Sequence, residues 1–266
     1  MKALYQRWTE RLRDPVFAFT ADQDWAPEWA TGRFLDFLEG ADVPVHTFVT
    51  NPSPALERAQ QDGVTLGAHP NFLSGSTHGS TPEEVINTCR ALVPNARTVR
   101  SHIHAENSHI LQLLTDAGFD TDSNLSLFLQ PGIVPLIHST GILRLPVFLD
   151  DDSLLLWDQS GTLDLAPAKR ALGTPGLKIL NFHPALFAIN CPSADYYRTH
   201  RDELYSTTAP MRPFDGRGLA TLLEELLEWL RANGHTISPF PELVDECWRD
   251  FDALEEGALY GWGSKD

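Results

Sequence analysis

The chain is poor in cysteine and short of positive charge, and each shortage excludes a class of protein. Its three cysteines, Cys89, Cys191 and Cys247, are odd in number, far apart and without a CxxC pair. They supply neither a disulfide framework nor a cysteine zinc site, and buried, reduced thiols are expected at all three. Twenty Lys and Arg stand against 36 Asp and Glu, a formal charge of −16. Such a field opposes sliding along nucleic acid and docking on anionic lipid. Uninterrupted apolar runs of about 18 residues are missing, and residues 1–14 carry charges throughout in place of a signal-peptide core. No nucleic-acid partner and no membrane insertion are therefore expected, and the chain reads as soluble and cytoplasmic. Neither GxGxxG after the first apolar run nor GxxxxGK[ST] occurs, which removes the main support for a nucleotide-binding open sheet. Repeats, low-complexity tracts and linkers are absent too, so 1–266 reads as a single domain.

What is present is a recurring β-then-α step. Residues 16–20 form an apolar strand, and Pro27 opens a helix with the inward stripe Ala30, Phe34, Phe37, Leu38 and Ala41. Strands at 45–49 and 64–68 come next, the first leading to a short helix opened by Pro54. Thr81-Pro82-Glu83-Glu84 is a capping box for a helix that buries Val85, Ile86, Cys89, Leu92 and Val93. A strand at 98–102 precedes a helix at 108–117, stopped by Gly118. Between 120 and 158, strand-like pieces are read at 125–129, 142–148 and 154–157, with Pro131, Pro135 and Pro146 breaking any helix. The strand 178–182, helices near 196–205 and 219–232, a strand at 236–238 and a helix at 242–251 complete the chain. At this length such units could bury about 73% of the unfolded surface. They predict an α/β fold with a parallel sheet covered by helices, better met by a (β/α) barrel than by an open sheet.

In a βα barrel the reactive groups leave the carboxyl ends of the strands. Four places there carry unusual residues. Asp22-Gln23-Asp24 puts two carboxylates on one side of an extended backbone, where their repulsion invites a cation; an acidic pair before the Pro27 helix is the structural alternative. His69 and His78, nine apart across a Gly/Ser loop, can fold onto one ion or lie at the surface. Two imidazoles and a carboxylate with an open position suit catalytic Zn²⁺ or non-haem Fe²⁺. Arg100, His102 and His104 alternate, so a continuing strand gives them one face; a buried guanidinium needs an anion, which Asp22 or Asp24 would supply. His102 or His104 could itself be a ligand. Asp122, with Asp120, could orient an imidazole or form a turn after Gly118. His183, held at a strand end by Pro184, is read as a general acid. His46, His138, His200 and His235 lack such surroundings.

The ordered set Thr20-Ala21-Asp22-Gln23-Asp24-Trp25, His69-Pro70-Asn71-Phe72, Gly75-Ser76-Thr77-His78-Gly79, Arg100-Ser101-His102 and Asn181-Phe182-His183-Pro184 resembles the polysaccharide deacetylase superfamily. Within it the chain is most similar to the WbmS-like branch associated with O-antigen biosynthesis. The resemblance implies a distorted, seven-stranded NodB-like barrel and a metal-dependent carbohydrate deacetylase acting on an N- or O-acylated sugar or sugar-containing precursor. It implies Asp22 as base, Asp24, His69 and His78 as metal ligands, Arg100 as the residue orienting the base, and His183 as the acid. One divalent ion is implied, Zn²⁺ first, with Fe²⁺, Co²⁺ or Ni²⁺ as substitutes. Two features depart from the superfamily pattern: Gln23 separates the aspartates, and the histidines are nine apart. His102, standing where the superfamily has proline, could replace His78. Trp25 is the aromatic residue assigned to sugar contact. Two other readings compete: a silent saccharide-binding protein on this scaffold, and a nucleotide-sugar glycosyltransferase holding Mn²⁺ on Asp22-Gln23-Asp24.

Overall fold

Short polar residues placed just before apolar stripes set several helix starts. The Ser53, Thr81 and Asn107 side chains each accept a hydrogen bond from the backbone N–H three residues on, at 3.3, 3.3 and 3.0 Å. These bonds satisfy donors that the first helical turn cannot pair. A computed structural model describes residues 2–158, 163–206 and 208–255; the last eleven residues of the 1–266 domain expectation lie outside it.

In chain order the elements are α1 (Lys2–Arg11), β1 (Pro15–Asp22), α2 (Glu28–Gly40), β2 (Val45–Val49), α3 (Pro54–Gln61), β3 (Thr65–Ala68), α4 (Pro82–Leu92) and β4 (Thr98–Val99). A 3₁₀ turn (His102–His104) leads to α5 (Ser108–Asp116), β5 (Thr121–Asp122), β6 (Leu136–Ile137), β7 (Leu143–Arg144), β8 (Val147–Asp150), α6 (Asp151–Trp157) and α7 (Ala166–Leu172). Then come β9 (Gly176–Phe182), α8 (Pro184–Ala188), α9 (Ala194–Ser206), α10 (Leu219–Ala232), β10 (Ile237–Ser238) and α11 (Phe240–Glu255).

The strands form one sheet in the order β6-β7-β5-β4-β3-β2-β1-β9-β8, with β10 pairing β1. All pairs are parallel except β6 with β7. Residues 125–129, expected as a strand, run beside β8 with a single bridge from Ser126 to Val147 and bonds from Leu127 N to Val147 O and from Val147 N to Leu125 O. This segment comes directly after β5, so it links the two sides of the curled sheet into the expected distorted (β/α) barrel. Among the described residues ten strands appear where seven were expected, because several are two-residue pairings.

Three local expectations change. Residues 154–157 are helical, the second half of α6, with Leu154 and Leu155 buried and Leu156 and Trp157 exposed; four apolar residues have no period that separates strand from helix. Residues 142–148 divide into β7 and β8 on either side of Leu145-Pro146. The strand expected at 98–102 ends at Val99, and the chain then turns.

One apolar cluster runs through the described residues. Within the barrel a polar group is accommodated: both ring nitrogens of His46 lie 2.7 Å from threonine hydroxyls, of Thr65 and Thr98, and the ring stacks on Phe240. Gly67 makes room for it, since a Cβ there would stand 2.7 Å from His46 Nε2 and 2.6 Å from Thr98 Oγ1.

Candidate active site

β1 delivers Asp22 to the carboxyl end of the sheet, and Gln23 anchors the turn beyond it. The Gln23 backbone donates to Phe48 O, and its side-chain oxygen accepts from the Thr50 and Asn51 N–H groups at 2.9 and 3.1 Å. Asp24 and Trp25 then adopt left-handed backbone, φ 45° and 54°. The two carboxylates converge through this turn and not through the strand alternation predicted from their spacing.

Asp22 sits between two fixed donors. Its Oδ1 accepts from Arg100 Nη1 at 3.0 Å and its Oδ2 from Asn181 Nδ2 at 2.9 Å. Arg100 is fully buried and otherwise spent on Asn181 Oδ1, Thr20 Oγ1 and the Ser123 carbonyl and hydroxyl, with Phe48 4.4 Å beneath its guanidinium. A buried guanidinium is tolerated only when so paired. Its carboxylate partner is Asp22, one of the two aspartates expected.

Asp24 Oδ1 accepts from His69 Nε2 at 2.9 Å and from His102 Nδ1 at 2.8 Å. Burial alone would raise the Asp24 pKa; the hydrogen bonds from His102 and His69 and the nearby His183 outweigh it and hold the carboxyl well below its ordinary value. Ligand atoms of Asp24, His69 and His102 lie within 4.8 Å of one another, and His69 Nδ1 is buried without a partner. Two imidazoles and one ionised carboxylate are a donor set that fits a divalent transition metal.

His78, expected as a ligand, stands outside this group. Its Nε2–H donates to the Thr50 carbonyl at 2.7 Å and its Nδ1 accepts from Asn71 N–H at 3.2 Å. Both nitrogens hold loop backbone, and His102 occupies the place beside Asp24. The backbone N–H groups of Arg100 and His102 donate to Ala68 O and Pro70 O, and left-handed Ile103 and His104, φ 50° and 54°, follow. Arg100 reaches Asp22, His102 reaches Asp24 and His104 reaches Asp150, the last at 3.2 Å. The three do point one way, although not as alternate residues of a strand.

His183 caps the start of α8. Its Nδ1–H donates to Asp151 Oδ1 at 2.6 Å and its backbone N–H to Asp151 Oδ2 at 2.9 Å, while Nε2 faces Asp24 Oδ2 at 3.6 Å and Asp22 Oδ2 at 4.0 Å. Burial lowers its pKa, but Asp151, Asp24 and Asp150 overcome that and hold it well above 6.5. Asp150 and Asp151 were not singled out in the sequence. Their signal in the sequence is the run Asp150-Asp151-Asp152 at a strand end, which an expected strand stopping at 148 leaves two residues away; β8 runs on to Asp150. Asn181, two residues before His183, was likewise passed over.

Asp122 is elsewhere. It bonds Arg144 Nε at 3.0 Å and the Asn124 N–H at 2.9 Å, and Arg144 also pairs with Glu106, a structural ion group that orients no imidazole. Trp25 lies edge-on to His102, ring centres 5.3 Å apart, and 5.5 Å from His78. A cavity of about 760 Å³ lies at the opposite end of the sheet, between α2, α3 and α10, and shares no residue with this cluster.

A WbmS-like family, described as polysaccharide deacetylase, matches residues 19–201. The chain belongs to this WbmS-like polysaccharide deacetylase family. The match spans every member of the cluster from Thr20 to His183. A Bordetella bronchiseptica structure assigned as a polysaccharide deacetylase involved in O-antigen biosynthesis superposes with a TM-score of 0.72 at 27% identity, covering 84% of this chain and 93% of that one. A Mycobacterium smegmatis structure assigned as a polysaccharide deacetylase shares the fold at 20% identity and a TM-score of 0.51, over 85% and 93% of the two chains. No curated protein matches the chain. Among the described residues of this WbmS-like chain, no helix is long and apolar enough to cross a membrane.

Proposed function

We propose that the chain is a metal-dependent hydrolase that removes an N-acetyl group from a sugar or sugar-containing precursor. The observation that carries this is the convergence of a carboxylate held by Arg100 and Asn181, a ligand trio of Asp24, His69 and His102, and an imidazole at His183 fixed by Asp151, at one end of one sheet.

Asp24, His69 and His102 would hold the ion, Zn²⁺ being the metal this donor set suits best. When bound, it supplies a Lewis acid that polarises the acyl carbonyl and acidifies water. Asp22, kept in one orientation by its two donors, takes a proton from the attacking water. His183 carries its proton on the side away from Asp151, toward the two aspartates, and delivers it to the departing nitrogen, because an amide anion does not leave unaided. Asp151, bonded twice to His183, fixes the ring and favours its cation. A glycosyltransferase reading of Asp22-Gln23-Asp24 would leave His69, His102 and His183, each within 4.0 Å of one of these aspartates, without a task.

Elemental analysis of natively purified protein, combined with acetate release from N-acetylated sugars, tests the proposal. About one equivalent of metal and acetate release, both lost in Asp24→Asn, is the expected result. A protein that neither holds nor can be loaded with metal, yet binds saccharide, would make it a silent binding module.

A further inference from the structure

The parallel register of β8, β9 and β1 places Asp150, Asn181 and Thr20 side by side in one row, and their side chains meet. The Asn181 amide is engaged at every position. Its Oδ1 accepts from Arg100 Nη1 and Thr20 Oγ1, and its Nδ2 donates to Asp22 Oδ2 at 2.9 Å and to Asp150 Oδ1 at 3.3 Å. An amide offers two acceptor sites and two N–H donors. Here donors surround its oxygen while two carboxylates take its nitrogen, so turning it over would set oxygen against both carboxylates. Asp150 thereby helps decide that Asn181 presents N–H, and not oxygen, to Asp22.

Asp150 is an unusual acceptor. It is buried, and among the described residues its ion-pair partners are two imidazoles, of His104 and His183, with no lysine or arginine. Burying such a carboxylate costs stability that an apolar side chain would not. Both of its oxygens are engaged: Oδ1 holds Asn181, and Oδ2 accepts from His104 Nε2–H at 3.2 Å. His104 makes that bond from left-handed backbone, φ 54°, two residues beyond His102. Such backbone is uncommon for a residue with a side chain and persists where surrounding bonds hold it. The bonds His104–Asp150–Asn181–Asp22 thus run in one line from a part-exposed imidazole to the oxygen of Asp22 that faces His183.

We infer that His104 and Asp150 are positioning residues: through Asn181 they fix the second oxygen of Asp22, and with it the direction in which this base meets the attacking water. The inference rests on the deacetylase reading for what Asp22 does, and one of its tests needs no turnover. In protein carrying isotope-labelled asparagine, the two Asn181 side-chain hydrogens, identified by NMR through their loss in Asn181→Ser, should exchange slowly with solvent because each is bound to a carboxylate. Asp150→Leu, and more mildly His104→Ala, should speed the exchange of one of them. Asp150→Asn, whose amide oxygen still accepts, should protect both. On an acetylated sugar that the wild type turns over, Asp150→Leu should lower kcat about ten- to hundredfold at unchanged KM and metal content. Asp150→Asn should recover most of that loss, and His104→Gln, which keeps an N–H donor, should be more active than His104→Ala. His104 is part-exposed, so its two variants carry the test if Asp150→Leu does not fold. Asn181 hydrogens that exchange as in wild type in these variants, a loss that falls on KM, or equal activity of His104→Gln and His104→Ala overturns the inference. A wild type that releases no acetate counts against the deacetylase reading alone, and the Asn181 hydrogens then decide the positioning.

Discussion

Asp22 is the residue on which most of the chemistry converges, and its surroundings make two substitutions informative. Asp22→Asn keeps the shape and both neighbours but cannot take a proton; turnover should fall by about 10²-fold or more while metal content is unchanged. Equal metal content and wild-type acetate release would remove Asp22 as base. The second concerns the histidines. His102→Ala should lose metal and activity together, whereas His78→Ala should keep the metal and lose stability, since it deprives the Thr50 carbonyl and the Asn71 N–H of partners. Metal analysis of the two purified variants decides between the spacing of the sequence and the geometry of the fold. His69 and His183 were legible from their place after apolar strands. Asn181 was not, because an asparagine at a strand end says nothing until the guanidinium and carboxylate it bridges are seen around it.

At the scale of elements, the turn after β4 does more than its length suggests. The strand expected to run on over residues 100–102 ends at Val99, and two left-handed residues come just after that stretch, one of them the 63% exposed, β-branched Ile103. That conformation is unfavourable for isoleucine by roughly 1–2 kcal/mol and milder for asparagine. Ile103→Asn should therefore raise stability by about 1 kcal/mol in urea titration and leave the metal content intact; a loss of stability would mean that the Ile103 side chain contributes contacts outweighing the strain. The main helices were readable because caps and apolar stripes are local: α4 starts at the predicted Thr81-Pro82, and α5 begins right after the Asn107 cap. The region 120–158 was not, because its pieces are held by the neighbouring chain. Residues 125–129 bond to β8, and 154–157 are the second half of α6, whose first residue, Asp151, bonds His183.

For the whole molecule, burial of His46 inside the barrel couples the fold to pH. Burial, and then the charge of Arg100, lower its pKa from 6.5 to about 3. The folded value is depressed, so the unfolded chain binds the proton first as pH falls. The neutral ring's contribution is complete above pH 6.5 and is lost progressively toward pH 3. At pH 5 the loss should be about 2 kcal/mol. His46→Gln should start less stable and show a flatter decline between about pH 7 and 5; parallel declines in urea midpoints would show that other groups govern the acid limb. The sequence alone determined the α/β class, the barrel, the family resemblance and the strand ends that carry the chemistry, because hydrophobic periodicity, caps and the alternation of short strands and helices are properties of neighbours along the chain. Only the tertiary structure decided that His102 and not His78 stands beside Asp24, that Asn181 joins Arg100 to Asp22, and that Asp151 holds His183. Those are pairings across 32 to 159 residues of sequence, set by parallel strand register and by left-handed turns that no residue spacing encodes.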